Sequence, residues 1–387
     1  MATTQQRPTK TGKLFDLAAQ GQSVWLDFIT RDLLKSGELR RMIESDGLRG
    51  MTSNPTIFQN AIGKGTDYDE QIKELIAAGK DTSAIFEAVA VKDIQDACDL
   101  FRPLYDSTDG LDGFVSIEVS PTLAHDTEKT LADARRLWQE VGRPNVMIKV
   151  PGTAAGIPAI KVLLSEGINV NITLLFSLPS HKQVMWAYVE ALEARAQAGK
   201  PVDHIASVAS FFVSRVDTLA DKLIDEKIAA GGDAATLKAI QGKVAVANAK
   251  VAYENFQHIF GGDRFKALAA KGARVQRPLW ASTGTKNRAY SDILYVDSLI
   301  GPDTVNTLPP ATLEAFMDHG TVARTVDQGV AEAHKTLDAL KVAGVEIDTV
   351  TRQLEKEGVA SFAKSFEDLL AGVEAKREQK EEEMNRD

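Results

Sequence analysis

A lysine lies inside a strongly apolar segment in the first half of the sequence. The segment 145–153 reads NVMIKVPGT and places Lys149 between an isoleucine and a valine. Lysine is rarely buried without a partner. Burial and nearby cations lower the pKa of an amine and make it available for Schiff-base attack. Lys149 is therefore a candidate nucleophile, and the alternative of an edge-strand or salt-bridged lysine stays open from this segment alone.

Two carboxylates occupy comparable positions in other apolar segments. In 116–119 (SIEV), apolar residues alternate with polar ones, so that Ser116 and Glu118 share one face of a strand. Asp27 lies in 25–28 (WLDF) with the same pattern. A carboxylate near a strand end can act as a general acid or base. It can equally be the partner of a structural arginine or the cap of a helix.

Further polar residues lie late in apolar segments or directly after them. Taken singly they are weak evidence, because Ser, Thr and Asn often cap helices. Their joint placement after several segments indicates a polar pocket with cationic anchors, which suits a polyol phosphate with a carbonyl group. They are Thr52, Ser53, Asn54, Asn169, Asn171, Thr173, Ser210, Arg215, Ser282, Thr283, Thr285 and Lys286.

Eight short segments rich in Val, Ile and Phe are predicted to be the strands that position these residues. They are 23–28, 48–53, 114–119, 145–150, 169–175, 204–212, 277–282 and 303–308. Helical patterns lie between them, for example at 127–141, 179–198 and 215–230. This alternation predicts a closed (β/α)8 barrel, whose active site lies at the carboxyl ends of the strands. An open doubly wound sheet is the competing fold, but the glycine-rich first turn of a dinucleotide-binding sheet is missing.

The spacing of the strands is uneven, and this sets the expected domain organisation. Helical patterns at 66–78, 83–105 and 234–260 predict helical insertions near 60–110 and 220–275. No linker rich in Pro, Gly or Ser separates them, so residues 1–387 are expected to form one barrel domain. The charged segment 374–387 is expected to be an exposed helix end or a frayed terminus.

Composition excludes several classes of protein. The 387 residues include 45 Lys and Arg and 54 Asp and Glu, a net charge of −9 that disfavours general binding to nucleic acid or to an anionic membrane. No apolar run approaches the ~18 residues of a membrane helix, and the polar first twelve residues lack the apolar core of a secretory signal. The single cysteine, Cys98, cannot form an intrachain disulfide, which fits a cytoplasmic location.

The familiar short catalytic motifs are absent. The sequence contains no P-loop, no GxGxxG and no GxSxG motif. Its six histidines are at least 15 residues apart, so that HExxH is missing as well. We therefore expect no metal site and no nucleotide cofactor.

Six segments, in this order along the chain, resemble transaldolases. They are WLD at 25–27, GMTSNPT at 50–56, VSIEV at 115–119, IKVPGT at 148–153, NVNITLLFS at 169–177 and SVASFFVSRVD at 207–217. The resemblance implies a (β/α)8 barrel and a Schiff-base mechanism without a cofactor. It also implies transfer of a dihydroxyacetone unit from sedoheptulose 7-phosphate to glyceraldehyde 3-phosphate, which gives erythrose 4-phosphate and fructose 6-phosphate in the pentose phosphate pathway.

The resemblance also implies roles for individual residues. Lys149 matches the Schiff-base lysine, and Asp27 matches the acid and base that handles the C4 hydroxyl proton. Glu118 and Thr173 match the pair that holds the water used in imine formation. The expected substrate contacts are Asn54, Asn171, Ser210, the aromatic wall Phe212 and the phosphate-binding Arg215.

The sequence departs from the family pattern after the seventh predicted strand. Many transaldolases have Ser-Phe-Arg there as a second phosphate anchor, whereas this chain reads ASTGTKN at 281–287. Ser282 matches the serine, and Lys286 is the candidate replacement for the arginine. Lysine lacks the bidentate fork of arginine, so the phosphate geometry is expected to differ.

Three alternative functions remain to be compared with the transferase. A fructose-6-phosphate aldolase releases free dihydroxyacetone, and such relatives tend to carry Gln and Tyr where this chain has Glu118 and Phe212. A non-catalytic barrel that senses sugar phosphate would bind without turnover. A pyridoxal-phosphate enzyme would be yellow, whereas the Schiff-base transferase is colourless. The sequence leaves open whether the protein is a monomer or a homodimer.

Overall fold

Eight parallel strands close into a barrel in the computed structural model, which describes residues 11–384. Each strand pairs with its neighbours in chain order, and β1 pairs with β8 to complete the ring. The predicted (β/α)8 barrel is therefore confirmed. The strands are β1 (Gln22–Asp27), β2 (Gly50–Thr52), β3 (Phe114–Glu118), β4 (Val146–Pro151), β5 (Val170–Leu175), β6 (Ser207–Phe212), β7 (Arg277–Ala281) and β8 (Thr304–Leu308).

Helices surround the barrel and fill the long connections. They are α1 (Lys13–Ala19), α2 (Arg31–Lys35), α3 (Glu38–Arg41), α4 (Pro55–Lys64), α5 (Asp69–Ala77), α6 (Thr82–Ser107), α7 (Thr127–Val141), α8 (Gly156–Glu166), α9 (Leu178–Gln197), α10 (Ser214–Ala229), α11 (Ala234–Ile240), α12 (Val244–Phe260), α13 (Asp263–Ala269), α14 (Leu294–Asp297), α15 (Pro310–His319), α16 (Val330–Val342) and α17 (Ile347–Met384). A π-helical turn (Met42–Asp46) and a 3₁₀ turn (Pro121–Leu123) complete the set.

Local sequence explains where several of these helices begin and end. Asp126 accepts a hydrogen bond from the Lys129 backbone N–H and caps α7, and Gly142 ends the same helix in a left-handed conformation. The predicted helix 127–141 is confirmed residue for residue. The predicted helices at 179–198 and 215–230 are each displaced by one residue, as α9 and α10.

The predicted single helix at 234–260 is wrong, because the structure divides it into α11 and α12. Gly242 lies between the two helices with a φ of +68°, a conformation that favours glycine. A Cβ atom there would lie 2.6 Å from the Tyr290 ring. Close packing against the loop after β7 therefore requires the break.

The charged C-terminal segment is helical as far as the structure describes it, and part of it is buried. α17 runs through Met384, and the Nζ atoms of Lys376 and Lys380 lie 2.7 and 2.9 Å from the carboxylate of Asp69 on α5. These two lysines do not fit the expected exposed end. The last three residues of the expected tail, and most of the polar N-terminal segment, lie outside the described residues.

None of the helices in residues 11–384 is both long enough and apolar enough to span a membrane.

Candidate active site

A cavity of about 240 Å³ opens at the carboxyl ends of the barrel strands. In a (β/α)8 barrel this end is formed by the loops that follow the strands and carries the active site. The cavity brings together nine of the eleven residues predicted to form the site. They are Asp27, Asn54, Lys149, Thr173, Ser210, Phe212, Arg215, Ser282 and Lys286.

Lys149 lies on β4 and is only 6% exposed. Its Nζ donates a hydrogen bond of 3.2 Å to the carbonyl oxygen of Ser53 and lies 3.4 Å from Oε2 of Glu118. Glu118 and Lys149 are register partners on β3 and β4, which brings their side chains together. The amine is thus held at the cavity by one carboxylate and one backbone oxygen.

Glu118 lines a second and larger cavity, not the one that Lys149 lines. This second cavity has a volume of about 460 Å³ and lies between β3, α4, α6, α7 and α17. Apart from the ion pair with Lys149, neither carboxylate oxygen has a hydrogen-bond partner in the described part of the chain. Burial raises the pKa of Glu118, and the Lys149 charge opposes this rise. A carboxyl group with a raised pKa can carry a proton into a reaction.

Asp27 lies at the end of β1 and faces the same cavity. Its Oδ1 accepts a hydrogen bond of 2.8 Å from Oγ1 of Thr52, its register partner on β2. Burial raises the pKa of Asp27, while the charge of Lys149, the Thr52 hydrogen bond and the charge of Lys286 all oppose the rise. Asp27 is therefore a partly buried carboxyl group under the influence of two cationic side chains, which suits proton transfer.

The three alternating polar residues of the β5 segment share one face, as predicted, but lie at different depths. Asn169 donates to the backbone oxygens of Pro144 and Val146 at the amino-terminal end of the barrel. Asn171 is fully buried and lies two residues closer to the carboxyl-terminal end of the barrel. Thr173, two residues further on, reaches the cavity. The Thr173 hydroxyl has no hydrogen-bond partner among the described residues, so it is free to bind a ligand or water.

Asn171 is one of the two predicted site residues that do not line the cavity. Its Nδ2 donates to the Ser116 hydroxyl (3.0 Å), and its Oδ1 accepts from the Ser210 hydroxyl (2.7 Å). Both ends of the amide are thus occupied inside the barrel. Its direct contact with a substrate stays a prediction.

A backbone irregularity directly follows Thr173. The register between β5 and β6 shifts between Ile172 and Leu175, and Leu174 has a φ of +60°. A bulky residue rarely adopts this conformation, which costs on the order of 1–3 kcal/mol. Strain of this kind persists only where surrounding structure holds it, and here it adjoins a residue of the candidate site.

Asn54 combines a structural and a candidate functional position. Its Oδ1 accepts a hydrogen bond of 3.0 Å from the Ile57 backbone N–H and caps α4. The same side chain lines the cavity beside Lys149. The interpretation of Asn54 as a helix cap is therefore correct for its side-chain oxygen. The contact of Asn54 with substrate stays a prediction.

Two cations provide positive charge at the cavity. Neither Arg215 nor Lys286 forms an ion pair with a carboxylate in the described part of the chain. The Arg215 guanidinium carbon lies 5.6 Å from the ring centre of Phe212, which in turn packs against Phe176 at 5.0 Å. Burial lowers the pKa of Arg215, and the charge of Glu357 on α17 opposes this. Unpaired cations in an acidic protein are suited to bind an anion.

The segment after β7 holds both Ser282 and Lys286 at the cavity. Ser282 has a φ of +54°, and its carbonyl oxygen accepts a hydrogen bond of 3.0 Å from the Ser214 backbone N–H. Further along, the Tyr290 hydroxyl donates to Asp221 on α10 at 2.7 Å. The loop that carries Lys286 is thus attached to α10, the helix that also carries Arg215.

Sequence reasoning missed Thr307 and Phe362 and gave Thr52 no role of its own. Thr307, late in β8, lies 2.6 Å from the Thr52 hydroxyl and lines the cavity, and its alternating position in the strand was a signal that could have found it. Thr52 was predicted only as one of the polar residues of the pocket, without its contact to Asp27. Phe362 of α17 also lines the cavity, and nothing in the local sequence indicates this.

The closed barrel and the polar cavity at its carboxyl ends define a (β/α)8-barrel enzyme. The family model described as transaldolase/fructose-6-phosphate aldolase matches residues 24–373. The chain belongs to this family.

Three similar relatives indicate which of the two activities of the family this chain resembles more. "Transaldolase 2" of Nostoc sp. is 50% identical over 369 residues, which cover 94% of this chain and 97% of that protein. "Transaldolase" of Trichodesmium erythraeum is 50% identical, with 95% and 98% covered. "Transaldolase" of Mycolicibacterium smegmatis is 51% identical, with 92% and 94% covered. All three names denote the transferase branch of the family.

Proposed function

We propose that the cavity carries out the transaldolase reaction. A dihydroxyacetone unit passes from sedoheptulose 7-phosphate to glyceraldehyde 3-phosphate and gives erythrose 4-phosphate and fructose 6-phosphate. The observation that carries the proposal is the position of Lys149, a buried amine 3.4 Å from Glu118 in a cavity that also holds two unpaired cations. The names of the relatives support the same reaction.

The first step forms an imine between Lys149 and the C2 carbonyl of the ketose. The amine attacks C2 as the neutral base, so its proton must first leave, and the carbonyl oxygen takes up a proton. The resulting carbinolamine then loses water, with a proton given to the departing hydroxyl. Glu118 lies beside Nζ and its pKa is raised by burial, which suits this proton transfer. The free hydroxyl of Thr173 is available to hold the water.

The second step breaks the C3–C4 bond. Asp27 takes the proton of the C4 hydroxyl, the C3–C4 electron pair moves toward the iminium nitrogen, and an aldehyde leaves. An enamine of dihydroxyacetone remains on Lys149. Transfer reverses these events with a new aldehyde, whose oxygen receives the proton from Asp27. A carboxyl group whose pKa is raised by burial and lowered by neighbouring cations can both accept and return the proton.

The phosphate groups bind at the cationic side of the cavity. Arg215 provides a planar guanidinium with several donors, and Lys286 provides a mobile point charge. Ser282, with its backbone fixed against Ser214, adds a hydroxyl donor at the same wall. Phe212 and Ser210 then contact the carbon chain and hydroxyls of the bound unit, together with Asn54.

Borohydride trapping tests this proposal. The protein is incubated with fructose 6-phosphate, reduced with borohydride and digested for peptide mass spectrometry. A three-carbon adduct on Lys149 is expected, and its amount should fall when erythrose 4-phosphate is added before reduction, because the unit is then transferred. A folded protein that binds the sugar but leaves Lys149 unmodified would contradict the Schiff-base mechanism and favour a sugar-phosphate sensor.

The related activity, fructose-6-phosphate aldolase, differs in the fate of the three-carbon unit. It would release dihydroxyacetone at the same rate with and without the acceptor. The family description includes this activity, whereas the relatives named above are transaldolases. Phe212→Tyr tests the predicted role of the aromatic wall, since it is expected to increase dihydroxyacetone release.

Four further features belong to the proposal. The chain acts as a single barrel domain over 1–387, with helical insertions near 60–110 and 220–275 and a charged C-terminal segment at 374–387. It needs no cofactor and no metal ion. It resides in the cytoplasm and works as a monomer or a homodimer. Size-exclusion chromatography with light scattering distinguishes these two oligomeric states.

A further inference from the structure

We propose that Phe362, on the C-terminal helix, is a specificity-determining residue that favours transfer of the three-carbon unit over its release. The inference rests on the transaldolase function proposed above. Phe362 lies more than 200 residues after Lys149 in the sequence, yet its ring centre is 5.6 Å from the Lys149 Nζ. The side chain is buried and lines the substrate cavity.

α17 is held across the mouth of the barrel by contacts along its length. Ser365, almost one turn after Phe362, accepts a hydrogen bond of 2.9 Å from Thr56 on α4. Further along, Lys376 and Lys380 form ion pairs with Asp69 on α5. The helix therefore has a fixed position relative to the strands that carry the site, and Phe362 is a fixed part of the cavity wall.

Gly358 sets how closely α17 approaches the barrel. It lies one helical turn before Phe362, so both residues are on the same helix face. A Cβ atom on Gly358 would lie 2.9 Å from Cδ2 of Leu174 and 3.6 Å from the Phe176 ring. The missing side chain thus lets the helix pack directly on the end of β5, which brings the Phe362 ring down to Lys149.

The enamine on Lys149 has two possible fates, and both balance without a further reactant. In transfer, the enamine carbon forms a bond to the aldehyde carbon, and the aldehyde oxygen takes up a proton. In release, the enamine carbon takes up a proton instead. Water then adds at C2, the C–N bond breaks, and dihydroxyacetone leaves with the lysine amine restored. Protonation of the enamine carbon is therefore the step that separates the two outcomes.

An apolar ring beside Nζ opposes that step. The enamine is attached at Nζ, so its carbons lie within reach of the Phe362 ring, and the ring occupies space that bulk water would otherwise fill. Without neighbouring water as a proton source, the enamine persists until an aldehyde binds. A ring face near Nζ also stabilises the cationic iminium that precedes and follows the enamine.

The test compares dihydroxyacetone release with transfer in purified variants. Fructose 6-phosphate is the donor, erythrose 4-phosphate is the acceptor, and both products are measured in one reaction. Phe362→Ala is expected to raise the ratio of release to transfer by about tenfold, equivalent to about 1.4 kcal/mol between the two barriers. Phe362→Leu, which keeps an apolar side chain, is expected to give a smaller rise. Borohydride should still trap the adduct on Lys149 in both variants.

Gly358→Ala provides a second variant that does not depend on truncating the core. Alanine favours the helix, so the fold is retained, but the methyl group pushes α17 away from Leu174 and the ratio should rise. Two substitutions on the same helix serve as controls. Phe366→Ala removes a ring that packs on Phe86 in the neighbouring cavity. Gly372→Ala adds a methyl group that, among the described residues, has no atom outside its own helix backbone within 4 Å.

The outcomes separate this inference from the proposed function. If the unmodified protein performs no transfer, the proposed function fails. If it performs transfer and the ratio is unchanged in Gly358→Ala and in every folded Phe362 variant, the role of Phe362 is refuted. An equal rise in the two control variants would also refute it, because general loosening of α17 would then explain the effect.

Discussion

The hydroxyl of Thr52 on β2 joins Asp27 on β1 to Thr307 on β8, the other neighbouring strand of β1. Thr52 donates its only hydroxyl proton to Oδ1 of Asp27 (2.8 Å), so Thr307, whose Oγ1 lies 2.6 Å from that of Thr52, must be the donor in the second contact. Asp27, the acid and base of the proposed reaction, is therefore oriented by two successive hydrogen bonds, from Thr307 to Thr52 and from Thr52 to Asp27. These two hydrogen bonds predict how the activity depends on pH.

Replacing Thr52 with valine is expected to shift the acid limb of the pH profile to higher pH. The hydrogen bond from Thr52 stabilises the ionised carboxylate and lowers the pKa of Asp27, so its loss adds to the rise caused by burial. The measurement is kcat/KM for transfer as a function of pH. Thr307→Val leaves the direct hydrogen bond in place and should cause a smaller shift. An unmoved acid limb in Thr52→Val would show that Asp27 does not limit the reaction at low pH.

Asp27→Asn is expected to reduce kcat by about 10²–10⁴, the usual contribution of a general acid or base, and to make the protein more stable. Burial raises the pKa of Asp27, so the folded chain binds this proton more tightly than the unfolded chain does. Stability contributed by this group is therefore lost as the pH rises from the ordinary value through the raised pKa. Asparagine avoids that loss.

The gain in melting temperature for Asp27→Asn should accordingly vanish in acid and grow toward neutral pH. Asp126→Asn is the control with the opposite sign, because hydrogen bonds from the start of α7 lower the pKa of Asp126. In that variant the loss of stability should be greatest above the ordinary carboxyl pKa. A pH-independent difference for Asp27→Asn would contradict a raised pKa in the folded protein.

Glu118→Gln should slow imine formation by about 10²-fold, because an amide cannot transfer the proton. Substrate affinity should change little, since Glu118 lines the neighbouring cavity rather than the substrate cavity. Rapid mixing with fructose 6-phosphate followed by borohydride quenching measures the rate of adduct formation. Glu87→Gln is a matched control: this glutamate lines the same second cavity but pairs with Arg136. Equal rates in Glu118→Gln and the unmodified protein would remove Glu118 from the imine step.

Arg215→Lys should raise KM for phosphorylated substrates by about tenfold, or about 1.4 kcal/mol, because lysine cannot replace the planar fork of donors. Lys286→Gln should raise KM by a smaller factor, because Lys286 is exposed and its charge is screened by solvent. Neither change should prevent borohydride trapping at saturating sugar. Arg264→Lys, a surface arginine paired with Glu193, is the control. A lowered kcat with unchanged KM would argue against phosphate binding by Arg215.

The sequence was sufficient to predict the strands and the groups that they carry. Alternation within each strand correctly places Asn169, Asn171 and Thr173 on one face, because side chains alternate by backbone geometry. It does not give their depth along the barrel axis, which depends on the stagger of neighbouring strands. For that reason Asn171 could not be distinguished in advance from a residue that lines the cavity.

Residues contributed by the long connections could not be predicted in the same way. Phe362 reaches Lys149 only because α17 crosses the barrel mouth, and Gly358 matters only because Leu174 lies opposite it. Such contacts depend on tertiary packing, which local periodicity does not encode. Gly242 is partly predictable. Glycine is a known breaker of helices, but the need for glycine at this position comes from the ring of Tyr290, which is distant in sequence.

The path of α17 also has a consequence for how the protein matures on the ribosome. The Thr56–Ser365 hydrogen bond joins residues that are 309 positions apart. Lys149 and its partners are therefore synthesised long before the helix that covers them, and contacts so distant in sequence form slowly. The ribosome therefore synthesises Lys149 early, whereas Phe362 and the rest of α17, which cover it, are among the last parts of the fold to be added.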